Sequence, residues 1–407
     1  MPRRPTRRDW TLLAVGLLAL VVGLAPLLPD ADAPDEAIAP ARQSVSQPVA
    51  ALAATAGPGR LTPALRAEID RVVASGLARP VSGRAGVTEL VEAAVRCAEF
   101  EGQRYCLGFG WTDRTEAEVR ERLLAAAGVT GRRTRTEATV ETTGDLDALA
   151  TLRRLAATTP EARVVAERDE LTEAARSVAK VWLIRHQVQG VPLPDGFLED
   201  HPEARADSTV TAQRPRERKR PARFALMKGK RANEQSRSYW CGPATMQMIA
   251  WGWQKDRRPQ RHWADKLGTT IDGSAISEIA RQINRSTGYD GKRRAGPYVV
   301  LDISDFSFRE WMRLVKRHLA DYRAPLVLHP VLLERFYPYL DDDASGHFQV
   351  GRGYRAEPGR TRRIGFFEPW NQQAFDPSEP FVERVQWRNA YKSYRANLAH
   401  FQQNIGV

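Results

Sequence analysis

The sequence lacks the features that announce the commonest chemistries. It has no phosphate-cradling loop of the GxxxxGK type and no paired CxxC motif, so nucleotide-binding and structural-zinc readings have little support. No His, Cys and Asp residues cluster at ligand spacing, which leaves a metal-dependent function without a candidate site; Asp341-Asp342-Asp343 reads as an acidic loop rather than a calcium site. No motif implies a cofactor, and no internal repeat is visible. Cysteine is scarce: three residues, an odd number, so at least one is unpaired within a monomer. What is present is a chain of 407 residues, too long for one ordinary core and suggestive of two domains plus extras. Ten tryptophans imply substantial aromatic packing, and the formal charge is +12.

Residues 1–33 read as an export element. Arg3, Arg4, Arg7 and Arg8 precede an apolar run from Leu12 to Ala25, extended by Leu27 and Leu28. This pattern fits a signal peptide, with Ala31-Asp32-Ala33 resembling a cleavage site, and it equally fits a single N-terminal membrane anchor. Either places the rest of the chain outside the cytoplasm. Residues 34–59 are rich in Ala, Pro, Ser and Gly and read as a disordered tether. Residues 60–190 read as a helical domain. Thr62-Pro63 opens a helix with Leu65, Ile69, Val72 and Val73 on one face, Val87–Ala98 forms a second, and Thr115-Glu116-Ala117-Glu118 is a capping box opening a third. Leu146–Leu155 and Pro160–Ile184 follow. Cys97 and Cys106 are either a local disulfide or two free thiols; export favours the disulfide, which leaves Cys241 as the odd cysteine. No chemistry is evident in this region. Residues 191–234 read as a basic linker, crowded with arginines and lysines between Arg214 and Arg231. It is a solvated linker or a surface for an anionic cell-envelope polymer. Nucleic acid is not an expected partner, because aromatics are sparse in this run and export removes the chain from it.

Residues 235–407 alternate differently. Helical patterns over Cys241–Trp253, through Ile276, Ile279 and Ile283, and over Phe308–Tyr322 precede strand patterns at 325–328, Gly346–Tyr354 and Arg363–Phe367, with a final amphipathic helix from Trp387 to Gln402. That order is α+β. Cys241 opens the first of these helices, followed at once by Gly242 and Pro243, and Pro favours the first helical turn. A thiol at a helix N-terminus can fall from a pKa of about 8.5 into the range of roughly 3.5–7.5. Gln235, six residues upstream, is close enough for its amide to turn back towards the sulfur.

A nucleophilic thiol needs a base, and the base an orienter. Of His262, His318, His329, His347 and His400, His347 stands out at the start of a strand behind Gly346. If the hairpin turn centres on 357–359, His347 falls across from residues 367–371, which include Glu368 and, as a competing orienter, Asn371.

These residues resemble a family. Gln235-x5-Cys241-Gly242-Pro243-Ala244, then Gly268-Thr269-Thr270 with Gly273-Ser274, Gly346-His347-Phe348 and Phe367-Glu368-Pro369-Trp370 resemble the papain-like cysteine peptidases of the bacteriocin-processing, double-glycine type. Stand-alone exported members are the nearer likeness, and it covers about residues 224–385. The resemblance implies a papain-like C-terminal domain, with a helix bearing the cysteine and an antiparallel sheet bearing the histidine and acid, preceded here by the all-α region. It implies Cys241 as nucleophile, His347 as base and Gln235 as oxyanion donor, acting on a peptide or protein substrate. The third position departs from the usual Asp: Glu368 is one methylene longer. The membrane and ATP-binding domains of the family's transporters have no counterpart in the sequence, so a Gly-Gly leader substrate is not carried over. Peptide or isopeptide hydrolysis competes with two other readings, acyl transfer of transglutaminase type and a non-catalytic module that kept the fold.

Overall fold

The computed structural model describes residues 61–79, 81, 85–136, 143–202, 204, 219–227, 232–287, 289, 297–338, 340, 343–370, 384–396 and 403–407. The export element 1–33, the tether 34–59, most of the basic run, Asp341-Asp342, Asn371 and His400 lie outside the described residues.

Helix α1 (Pro63–Leu77) begins where expected: Thr62 accepts the Leu65 amide, and Leu65, Ile69, Val72 and Val73 are buried. Helix α2 (Val87–Ala94) is shorter than its apolar pattern, because the chain turns extended at Val95. Strands β1 (Cys97–Phe100), β2 (Gln103–Cys106) and β3 (Gly110–Thr112) follow as a meander. The expectation of an all-α region is therefore corrected. Glu101 and Gly102 both have positive φ, 51° and 77°. That is the backbone of a two-residue hairpin turn, whose twist suits antiparallel strands. The β1–β2 register sets Cys97 opposite Cys106, and the two form a disulfide.

Helix α3 (Glu116–Thr136) starts on the Thr115/Glu118 capping box. Helix α4 (Ala148–Ala157) is capped by Asp147. The apolar run after Thr159 is split into α5 (Pro160–Arg176) and α6 (Val178–Gln189). The break falls at buried Ser177, whose hydroxyl donates to Ala174 O at 2.7 Å and accepts from Trp111 Nε1 at 3.1 Å. Helix α7 (Phe197–Asp200) and strand β4 (Arg223–Ala225) lie within the stretch read as linker. The rest is α8 (Cys241–Gln254), α9 (Gln260–Leu267), α10 (Ile276–Thr287), β5 (Val300–Asp302), α11 (Phe308–Ala320), β6 (Leu326–Leu328), β7 (Gln349–Arg355), β8 (Arg363–Phe367), β9 (Arg384–Gln386), α12 (Trp387–Ala396) and β10 (Asn404–Gly406).

All these strands join one mixed sheet, in the order β1-β2-β3-β5-β10-β6-β7-β8-β9, with β4 also on β7. Helices and sheet together make the α+β class expected. The sheet crosses the boundary drawn from sequence: β3 pairs β5 in parallel through Trp111 and Leu301. Residues Ala50–Val407 are one unit, so the 60–190 region is not a separate domain. Strand alternation explains how one sheet serves two cores. Leu301, Leu326, Leu328, Ile364 and Phe366 face a cluster with Trp111, Val181 and Trp311, whereas Val300, Val327, Val350 and Phe367 face the cluster containing Cys241, Met246 and Ile279. On β7, Val350 and Tyr354 share parity yet belong to opposite clusters, because the register shifts between Gly351 and Gly353. Buried Lys180 of α6 ties the two regions further, donating to Tyr289 Oη at 2.8 Å and Val407 O at 2.7 Å.

Since the sheet is shared, Leu301→Ala should cost about 2–5 kcal/mol and shift one cooperative unfolding transition that includes the disulfide hairpin. Chemical denaturation followed by far-UV circular dichroism and tryptophan fluorescence checks this. A second, unshifted transition would show that the N-terminal region folds on its own.

Candidate active site

Helix α8 is buried along most of its length, from Cys241 to Ala250. Its first turn sits against the Gly273-Ser274 segment, and Gly242 is what allows this: a Cβ there would lie 2.6 Å from Ser274 Oγ. Pro243 occupies the first turn, where no amide donor is needed.

The Cys241 thiol is fully buried. The Phe348 and Gly242 backbone amides and the Thr143 hydroxyl lie close enough to its sulfur to favour the charged form. Burial pushes the thiol well above its ordinary pKa, and the Asp145 carboxylate adds to that; the amide and hydroxyl contacts oppose it and lose. The low-pKa thiol expected from the helix N-terminus is thus corrected, because desolvation of a fully buried anion outweighs a helix-end effect of about 0.3–1 kcal/mol.

His347 lies just ahead of β7, its N–H held by Pro330 O at 2.9 Å. Its ring is fully buried. Nε2 meets Glu368 Oε1 at 2.5 Å, while Nδ1 has no hydrogen-bond partner. The hairpin arithmetic explains the pairing. Val350 opposes Phe367, so the next step of the same register sets Gln349 across from Glu368, with His347 a diagonal neighbour. The carboxylate is saturated with donors: Oε1 also accepts the Trp370 N–H at 2.9 Å, and Oε2 accepts Gln349 Nε2 at 2.5 Å. Sequence reasoning misses Gln349; its place two residues after His347 on the same strand is the signal that could find it.

Gln235 is buried, and its backbone N–H donates to Pro369 O at 2.9 Å, which ties it to the loop of Glu368. Its Nε2 faces three carbonyls: Ser238 O at 2.5 Å, Arg237 O at 2.9 Å and Thr143 O at 3.2 Å. Two protons serve three acceptors, so one is shared. Exchanging the amide's N and O would set an acceptor against all three, which fixes its orientation. The Cys241 N–H donates to the same Thr143 O, also at 3.2 Å. The Gln235 amide and the Cys241 backbone therefore converge on one oxygen.

The other histidines lie elsewhere or are differently engaged. His329 sits 4.5 Å from the Phe348 ring, centroid to centroid, and has both nitrogens occupied, by Asn404 Oδ1 at 2.9 Å and Asp145 Oδ2 at 3.0 Å. His318 contacts Pro325 O among tyrosines, and half-buried His262 contacts Arg258. His347 alone among these three and itself joins a carboxylate to an open ring nitrogen. Asn371, the competing orienter, lies outside the described residues.

Thr143 and Asp145 come from the region in which the sequence shows no chemistry. The local trace of their role is Gly144, with φ of +99°, where a Cβ would lie 2.1 Å from Tyr239 O. Among the described residues, no group of three or more His, Cys, Asp and Glu side chains is arranged to hold a metal ion.

Residues 227–397 match the Peptidase_C39 like family. The match supports a C39-type, papain-like cysteine peptidase segment containing Gln235, Cys241, His347 and Glu368, and it leaves Thr143 and Asp145 outside. No curated protein and no solved structure matches the chain.

The raised thiol has a consequence for stability. An unfolded chain ionises Cys241 near pH 8.5, while the native thiol stays protonated, so its contribution is fully present below that value and is lost as pH rises towards the native pKa. Denaturant midpoints between about pH 8 and 10 should fall more steeply for the wild type than for Cys241→Ser, by up to about 1.4 kcal/mol per pH unit. Parallel profiles would contradict a raised thiol.

Proposed function

We propose that the C39-type segment is a thiol hydrolase of papain-like fold that cleaves peptide or isopeptide bonds outside the cytoplasm. The observation that carries this reading is the convergence of the Cys241 N–H and the Gln235 amide on a single carbonyl oxygen. Two donors aimed at one point are what an acyl-transfer transition state requires. In this reading Cys241 attacks a carbonyl carbon as thiolate, and the developing oxyanion takes the place of the bound oxygen. Each such donor is worth about 2.7–4 kcal/mol in the transition state. His347 takes the thiol proton on its open Nδ1, delivers it to the leaving amine, then activates the water that hydrolyses the thioester. Glu368 holds the Nε2 side of the ring and balances its charge.

The arginine-flanked apolar run at the N-terminus and the Cys97–Cys106 disulfide support an extracytoplasmic location. Among the described residues no helix is long and apolar enough to cross a membrane; anchoring would fall to residues 1–33. A peptide or protein is the substrate, and the basic run within 191–234 is a surface for an anionic envelope polymer.

Burial of Cys241 and its raised thiol favour a second reading, a non-catalytic module that kept the site. The two separate by a ratio. Alkylation of Cys241 by iodoacetamide at pH 7, followed by site mapping, should be at least about tenfold slower in His347→Ala than in the wild type, because the ring no longer takes the proton. Any opening needed for access enters both rates equally. Equal rates would leave only the binding module. Whatever turnover of a peptide library the chain shows should be abolished by Cys241→Ala and lowered in kcat by about 10²–10³ by Gln235→Ala.

A further inference from the structure

In the proposed reading, the donors at Cys241 and Gln235 are meant for a substrate's carbonyl. In this chain the place is taken by Thr143 O. We propose that residues 143–147 are a built-in plug that keeps the Cys241 site latent until they are lifted from it. This rests on Cys241 being the nucleophile and adds the regulation of that site.

The plug binds as an extended peptide would. Ser274 N–H donates to Gly144 O at 2.9 Å, and Leu146 N–H donates to Ser274 O at 2.9 Å, forming a parallel bridge between Asp145 and Ser274. Main-chain pairing of this kind gives affinity without regard to sequence. Side chains lock it. The Thr143 hydroxyl donates to Gly346 O at 2.6 Å, one residue before His347, and the Thr143 N–H donates to Ser345 Oγ at 3.1 Å. Asp145 Oδ2 meets His329 Nε2 at 3.0 Å, both side chains being almost wholly buried.

The fit is steric as well. Gly144 passes between the Tyr239 backbone and Gly273: a Cβ on Gly144 would lie 2.1 Å from Tyr239 O, and one on Gly273 would lie 2.0 Å from Gly144 O. Beyond the plug, Asp147 caps α4, and Arg154 of that helix donates to Gly273 O at 2.8 Å and pairs with Glu278 at 2.7 Å. The plug is thereby pinned to the rim of the cleft it fills. Being part of the same chain, it competes with free peptide at an effective concentration on the order of millimolar or above.

The arrangement favours a held plug over a cut one. Cys241 and His347 are fully buried, so solvent water does not touch either side chain. The chain after Thr143 is fixed by Ser274, His329 and α4, so an amine released at Gly144 would stay beside the acyl group and close the bond again. Asp145 also disfavours the thiolate, so the element that fills the cleft quiets the nucleophile too.

The test measures iodoacetamide alkylation of Cys241 in the full chain, mapped by mass spectrometry. The native wild type should react at least about 100-fold more slowly than the urea-unfolded chain. Gly144→Ala, which drives a Cβ into Tyr239, and Asp145→Asn, which removes the charge facing His329, should each raise the native rate at least about tenfold. Both must first show a cooperative thermal transition; if one does not fold, the other carries the comparison. A native wild type that reacts as fast as the unfolded chain, folded variants no faster than the wild type, or a chain that purifies cut between Thr143 and Gly144 would each overturn the plug. Adding His347→Ala to the faster variant separates the two claims: acceleration that survives with no dependence on His347 upholds the plug and defeats the hydrolase.

Discussion

One carbonyl oxygen, that of Thr143, receives the Cys241 N–H and the Gln235 amide, and much of the molecule is arranged around that meeting. The first turn of α8 supplies one donor. The Gln235 segment supplies the other, tied through Pro369 to the loop that carries Glu368. The acceptor arrives from a part of the chain 92 residues away from Gln235. Both donor distances, 3.2 Å, are slightly longer than the 2.7–3.1 Å expected for an oxyanion. They suit a neutral carbonyl, and leave room for the contacts to tighten as charge develops.

The dryness of the site acts in two directions. It strengthens the contact between His347 and Glu368, whose carboxylate is further satisfied by Gln349 and the Trp370 amide. The same dryness raises the Cys241 thiol, with Asp145 contributing. In the proposed reading, a covering segment that belongs to the fold leaves the site ordered yet unreactive. Lifting residues 143–147 would remove Asp145 and admit water at once, freeing the donors and easing ionisation of the sulfur together.

Several parts of this site are legible from sequence because they are local. Gly-Pro after Cys241 marks a helix start, and the 357–359 turn brings His347 and Glu368 into reach by counting along a hairpin. Other parts are not. The Glu101-Gly102 turn is a short hairpin signal inside a segment that otherwise reads as helix, so β1–β3 escape a reading by period. Strands β5 and β10 are three residues each, too short to show a period, although they lie in the middle of the sheet. Basic composition makes residues 191–234 look like linker throughout, yet Arg223–Ala225 pairs with β7. Apart from the Gly144 between them, Thr143 and Asp145 carry no local signature; their role exists only through contacts with Cys241, Ser274 and His329, which tertiary structure creates.

The most direct measurement is residue-resolved hydrogen exchange at the amides of Cys241 and Ser274 in the intact chain. Their acceptors here are Thr143 O and Gly144 O. If the segment fills the cleft, both amides are strongly protected and open together, at one common free energy below that of global unfolding. Fast exchange at these two positions, with the neighbouring α8 core still protected, would contradict it.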